Sequence, residues 1–142
     1  MSQIRIKLLT EATAPQRATD GSAGYDLFAY IGEPRTLLPY DIVKIRCGFH
    51  IELPLEMAML ICSRSGLASK GLIVINSPGI VDSDYRGEVA VLIKNTSLYT
   101  YVVQARERIA QALFINHASP AFVQADELTP TDRGEGGFGS TG

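Results

Sequence analysis

A chain of 142 residues and 15.4 kDa, 46% apolar and 20% charged, matches one ordinary globular domain and excludes both a disordered polymer and a multidomain assembly. Thirteen basic against fifteen acidic side chains give a formal charge of -2 and a pI near 5.6, which excludes a general nucleic-acid or anionic-membrane binder; any polyanion has to be met by local charges. The longest apolar run, Met57 to Cys62, falls far short of the roughly 20 residues that cross a bilayer.

In chain order, Ile4, Arg5, Ile6, Lys7 and Leu8 alternate as in a half-buried strand, not as the continuous apolar block of a secretory signal, so the cytoplasm is the expected compartment. A turn signal follows at Leu38-Pro39-Tyr40-Asp41, then two further alternating rows, Val43, Ile45, Cys47 and Phe49, Ile51, Leu53. Cys47 and Cys62 are the only cysteines, and their apolar neighbours predict buried thiols and no disulfide framework. Cys47 and His50, three apart on a strand, point to opposite faces and cannot share one ion without a turn between them.

Gly66 to Lys70 is the best candidate for a single helical turn; nothing else sustains a helical stripe. Beyond it lie a turn at Asn76-Ser77-Pro78-Gly79, the row Val89, Val91, Ile93, a turn at Asn95-Thr96-Ser97, the row Ile109, Leu113, Ile115, and a turn at Ser119-Pro120. Short alternating segments punctuated by turns predict an all-β sandwich or barrel. The last ten residues, Arg133 to Gly142, hold five of the thirteen glycines and cannot pack a core, so residues 1–132 are expected as one β domain and 133–142 as a flexible tail.

Four places carry candidate chemistry. In Arg64-Ser65-Gly66, a forked cation and a hydroxyl precede a glycine at a helix start, which suits an anion; the plainer alternative is that Ser65 caps the turn and Arg64 is a solvated charge. Asp82, Asp84 and Glu88 surround Tyr85 and Arg86, offering a general base and a flat ring, or else a solvated loop of mutually neutralising charges. Gln111 shares an alternating row with Ile109 and Leu113, so its amide meets either backbone or a ligand. In the tail, Arg133, Phe138, Ser140 and Thr141 are spaced by glycines and can fold over a ligand; ordering costs roughly 1 to 2 kcal/mol per residue, so the tail closes only when a ligand offsets it. Ten extended residues reach roughly 33 Å, enough to cap a neighbouring subunit's site.

Taken in order, Ala23 to Leu27, Ser63 to Gly71, Gly79 to Gly87, Glu107 to Gln111 and Arg133 to Gly142 resemble the five motifs of the trimeric dUTPase family, across nearly the whole chain. The resemblance implies a distorted jelly-roll-like (β-clip) homotrimer with three sites between subunits, converting dUTP and water to dUMP and pyrophosphate with Mg²⁺. It implies that Asp82 orients the water attacking the α-phosphorus and touches the 3'-hydroxyl, while Tyr85 lies under the deoxyribose and would collide with a 2'-hydroxyl. By the same resemblance, the turn holding Asn76 and Gly79 matches the part that reads the uracil edge, a tight hairpin leaving little space for thymine's methyl. Arg64, Ser65, Gly66 and Gln111 match the family's residues that hold the phosphate chain, Asp26 the one that reaches Mg²⁺ through water, and Arg133, Phe138, Gly139, Ser140 and Thr141 the lid. Lys70 is left as structural.

A carboxylate of ordinary pKa, about 3.9, is a weak base at pH 7, so general-base help of about 10²- to 10⁴-fold needs positioning and charge neutralisation beside it. The chain departs from the family at Ser63, where proline is usual, and at Arg106, where glycine is usual. Ser63 is expected to loosen the approach to the phosphate loop. Arg106 implies either a turn without positive φ or a strained one. The rival readings are a dCTP deaminase, which would need an acid such as Glu88 at the pyrimidine's C4, and a trimeric nucleotide-binding module without turnover.

Overall fold

The computed structural model describes residues 3–139 and is built almost wholly of strands: β1 (Arg5–Leu8), β2 (Gln16–Arg17), β3 (Tyr25–Phe28), β4 (Arg35–Leu37), β5 (Ile42–Arg46), β6 (Phe49–Glu52), β7 (Met57–Cys62), β8 (Leu72–Val74), β9 (Gly79–Val81), β10 (Ala90–Asn95), β11 (Tyr101–Val103) and β12 (Arg108–Asn116). One helical turn, α1 (Ser65–Ala68), follows β7. The chain is therefore all-β, as its alternation predicts. Among the described residues no helix is long and apolar enough to cross a membrane.

Every pairing is antiparallel. Five strands lie in the order β2-β3-β12-β7-β9, three as β5-β10-β8, and the pairs β1-β6 and β11-β4 close the ends. Inward rows from these sheets, among them Leu27, Ile45, Phe49, Met59, Val91, Ile93 and Ile109, merge into one core, each such side chain worth roughly 1.5 to 3 kcal/mol on burial. The strand β7, flanked by β12 and β9, is apolar throughout: Met59 and Ile61 enter the core, while Leu60 and Cys62 on the other face are half-buried.

Two loops show how side chains fix the frame. Asn95, wholly buried, donates from Nδ2 to the carbonyls of Leu37, Leu38 and Tyr99 and accepts at Oδ1 from the N–H and hydroxyl of Ser97, so its amide is fully used. Glu107 accepts from the Tyr101 hydroxyl and the Gln104 N–H; burial, then this carboxylate, push the Tyr101 hydroxyl up to about 12. In the same turn Arg106 has φ +60, so of the two alternatives its presence implied, the strained one holds.

Several expectations need correction. Cys47 is buried, and burial followed by the Glu88 carboxylate pushes its thiol up to about 12, whereas Cys62 is only half-buried because it ends β7 at the surface of the sheet. The helical turn begins at Ser65, one residue earlier than predicted. The segment around Asn76 is not a paired hairpin: β8 bonds to β10 and β9 to β7, so the turn links two sheets. The folded body ends near His117, whose N–H donates to the Glu56 carbonyl; residues 118–135 are exposed throughout and carry no strand, well before position 133.

Candidate functional site

Two clefts carry the candidate residues. The first, about 290 Å³, opens where β9 leaves the five-stranded sheet and includes Asn76, Gly79, Asp82, Tyr85, Glu88 and Leu92 in its walls. Gly79 is buried, and a Cβ there would stand 3.0 Å from Asn76 Nδ2 and 3.5 Å from Ile61 Cβ, so only glycine lets Asn76 lie so close. Asp82 follows β9 directly and is exposed, its carbonyl accepting from the Tyr85 N–H at 3.2 Å. That turn swings the Tyr85 ring back over Gly87, where its hydroxyl donates to the Glu88 carbonyl at 3.1 Å. A Cβ at Gly87 would overlap the ring, so this glycine sets the ring's position.

Glu88 lines the cleft with its carboxylate already engaged. Arg46 Nε donates to both oxygens at 2.8 and 3.1 Å, and the Gly48 N–H donates to Oε1 at 3.0 Å. Both oxygens of this carboxylate are taken up by Arg46 and one also by Gly48, so Glu88 is committed to the frame and is not free to approach a pyrimidine's C4 as the deaminase reading requires.

The second cleft, about 440 Å³, includes Gly24, Asp26, Arg64, Ser65, Gly66, Gln111 and Leu113 in its walls. It shares no lining residue with the first. Arg64 Nε donates to Asp26 Oδ1 at 2.8 Å and its Nη1 to the Arg108 carbonyl at 3.1 Å, while Arg108 Nη1 reaches Asp26 Oδ2 at 3.5 Å. The side chains of Arg64 and Asp26 are 25% and 14% exposed, so Arg64 is no free surface charge; it is locked in place with the remaining guanidinium N–H groups unspent. Arg64, with extended backbone, is the N-cap of α1 and makes no side-chain cap. Ser65 is the first helical residue and caps nothing, which closes the plainer alternative. The N–H groups of Ser65 and Gly66 have no intrahelical acceptor. A Cβ on Gly66 would meet no atom of the described residues within 4 Å, so packing among them does not demand this glycine.

Gln111 takes the backbone alternative and also faces a cleft. Its Nε2 donates to the Ser63 carbonyl at 2.9 Å, and its side chain lines the cleft with Leu113. The row shared with Ile109 is broken by a register shift between Arg108 and Ala110, which turns Ala110 and Ala112 into the core and Gln111 outward. Gly24 lies opposite, and a Cβ there would displace Gln111 Oε1 from its present position. Ser63 does not loosen the approach: its hydroxyl accepts from the Val74 N–H at 2.8 Å and ties the end of β7 to β8.

The described tail residues, 133–139, join neither cleft within the chain. Arg133 Nε donates to the Gly136 carbonyl at 2.8 Å, Phe138 is fully exposed, and Phe138 and Gly139 both take positive φ. Ser140 and Thr141 lie outside the described residues. Gly24, Gly87 and the pairing of Arg46 with Glu88 shape the surroundings of the clefts, and the reading of the sequence did not assign them that role. For Gly24 the signal was only a glycine next to a tyrosine and for Gly87 a glycine two residues after one; for the ion pair, 42 positions apart, there was none.

An exposed carboxylate beside a tyrosine ring, together with a second cleft offering a locked arginine, an amide and unpaired N–H groups, has the layout of a nucleotide-binding enzyme on an all-β frame. A family model described as dUTPase matches residues 10–142. Deoxyuridine 5'-triphosphate nucleotidohydrolases of Desulfitobacterium hafniense and Chlamydia trachomatis are 48% and 44% identical over 149 and 138 residues, covering 100% and 96% of this chain and 99% and 95% of theirs. The structure of Staphylococcus bacteriophage 80alpha dUTPase, a G164S mutant with dUpNHpp, superposes with a TM-score of 0.91 at 28% identity, covering 100% of this chain and 99% of that one. The chain belongs to the dUTPase family.

Proposed function

We propose that the protein hydrolyses dUTP to dUMP and pyrophosphate, lowering dUTP and supplying the dTTP precursor, by attack of a water on the α-phosphorus. The observation that carries this reading is the first cleft, where the exposed Asp82 carboxylate stands beside the Tyr85 ring and the Asn76–Gly79 turn. Asn76 and the backbone from Gly79 onward read uracil, and Tyr85 supports the deoxyribose and excludes a 2'-hydroxyl. Asp82 accepts a proton from the water as its oxygen bonds to the α-phosphorus and the bridge to the β-phosphate breaks. Arg64, Ser65, Gly66 and Gln111 hold the phosphate chain and neutralise the leaving pyrophosphate. Arg133, Phe138, Gly139, Ser140 and Thr141 close over the nucleotide.

The donor set of the second cleft fits Mg²⁺ as a guest of the substrate. Asp26 is its one carboxylate, two arginines already draw on it, and among the described residues no group of three metal-ligating side chains exists. A hard cation that keeps its waters and takes phosphate oxygens needs no more than one such carboxylate, contacted through water. When bound, Mg²⁺ supplies neutralisation of phosphate charge.

Because the clefts share no lining residue and residues 118–135 run exposed, we assign each complete site to more than one subunit of a homotrimer. The test is to incubate the purified protein with dUTP, dCTP, UTP and dTTP, with and without Mg²⁺, and to measure pyrophosphate and ammonia. Pyrophosphate from dUTP alone, enhanced by Mg²⁺, is expected; ammonia from dCTP, or no product, overturns the reading.

A further inference from the structure

Resting on that reading, we propose that Ser63 is a positioning residue for the triphosphate, acting through Gln111. Ser63 is the single residue between the end of β7 and Arg64, and two bonds meet on it. The Val74 N–H donates to its hydroxyl at 2.8 Å and Gln111 Nε2 donates to its carbonyl at 2.9 Å. Val74 pairs with Ile93 on its other side, so the Ser63 hydroxyl pins the free edge of β8 to a strand of another sheet. The bond to the hydroxyl holds the residue in place, and its carbonyl can only accept, so the amide of Gln111 turns its donor Nε2 towards Ser63 and its Oε1 towards Gly24. Gly24 leaves the space that this orientation needs. The second Nε2–H is then aimed by the frame and not by solvent, in the cleft that holds Arg64, Ser65 and Gly66. Loss of the hydroxyl leaves the N–H of buried Val74 without its acceptor and frees the junction to shift.

The test measures the binding of dUpNHpp by calorimetry and steady-state hydrolysis of dUTP for the unaltered protein, Ser63→Ala, Ser63→Thr, Gln111→Ala and the Ser63→Ala/Gln111→Ala double variant, with melting temperatures recorded for each. Ser63→Ala is expected to weaken dUpNHpp about ten-fold and to raise KM in parallel, with kcat changed by less than about three-fold. Ser63→Thr, which keeps a hydroxyl, restores binding to within about two-fold. In the Gln111→Ala background the Ser63→Ala loss disappears, because the group it positions is gone. If Ser63→Ala lowers the melting temperature but binds dUpNHpp as tightly as the unaltered protein, or if the two losses add, Ser63 only supports the fold and the inference fails. If the unaltered protein leaves dUTP intact, the functional reading falls first and takes the inference with it.

Discussion

Asp82 is exposed, follows a strand directly and touches the cleft wall without holding the fold together, so its replacement separates chemistry from binding. Asp82→Asn is expected to keep dUpNHpp affinity within a few-fold while lowering kcat by about 10²- to 10⁴-fold, measured by pyrophosphate release. Near-normal turnover in that variant removes the assigned role. A second residue speaks through pH. Burial raises the Cys47 thiol from an ordinary 9.0 to about 12, so the fold favours the protonated form. Its contribution is complete below about pH 9 and is lost as pH rises towards 12, at about 1.4 kcal/mol per pH unit for one proton. Urea unfolding at pH 8 to 11 should therefore show falling stability above pH 9, with a shallower fall in Cys47→Ala. Equal slopes in the two proteins exclude this origin. At this scale the sequence disclosed Arg64, Asp82, Tyr85 and Gln111 as odd side chains in telling places. The Arg46–Glu88 pair and the Ser63–Val74 bond were invisible, because each joins residues whose proximity only the folded chain creates.

At the scale of elements, alternation exposed the strands whose residue types differ between faces and missed those where they do not. In β7 Met59 and Ile61 enter the core while Leu60 and Cys62 are half-buried, yet all six residues are apolar, and β4 and β11 are three residues long, too short for a period to declare itself. The shift between Arg108 and Ala110 explains why Gln111 read as a core position: one extra residue moves every later side chain to the opposite face. The turn before β12 offers a direct test of local strain. Arg106 holds φ +60 where a side chain costs roughly 1 to 2 kcal/mol, whereas glycine adds an unfolded-state cost of roughly 0.5 to 1 kcal/mol. Arg106→Gly should accordingly stabilise the protein by about 0.5 to 1 kcal/mol, seen as a higher melting temperature, with kcat/KM unchanged. A lower melting temperature would mean that the arginine side chain supplies contacts outweighing its backbone strain.

For the whole molecule, the separation of functional groups matters more than any one of them. Asp82 and Tyr85 line one cleft, Arg64 and Gln111 another, and Arg133 and Phe138 line neither within the same chain. If complete sites form only between subunits, a chain lacking Asp82 and a chain lacking the tail carry different defects that assembly can sort into different sites. Asp82→Asn chains retain the tail; chains truncated after residue 132 retain Asp82. Each homotrimer is then inactive at all of its sites, but mixed trimers pair an intact Asp82 from one chain with an intact tail from another. Mixing the two proteins under conditions of subunit exchange, followed by mass spectrometry with one partner isotopically labelled, should restore pyrophosphate release in proportion to the mixed trimers formed. Sites built within one chain predict the opposite: with exchange demonstrated, activity stays at the level of the two parents, since no chain in the mixture possesses both the carboxylate and the lid.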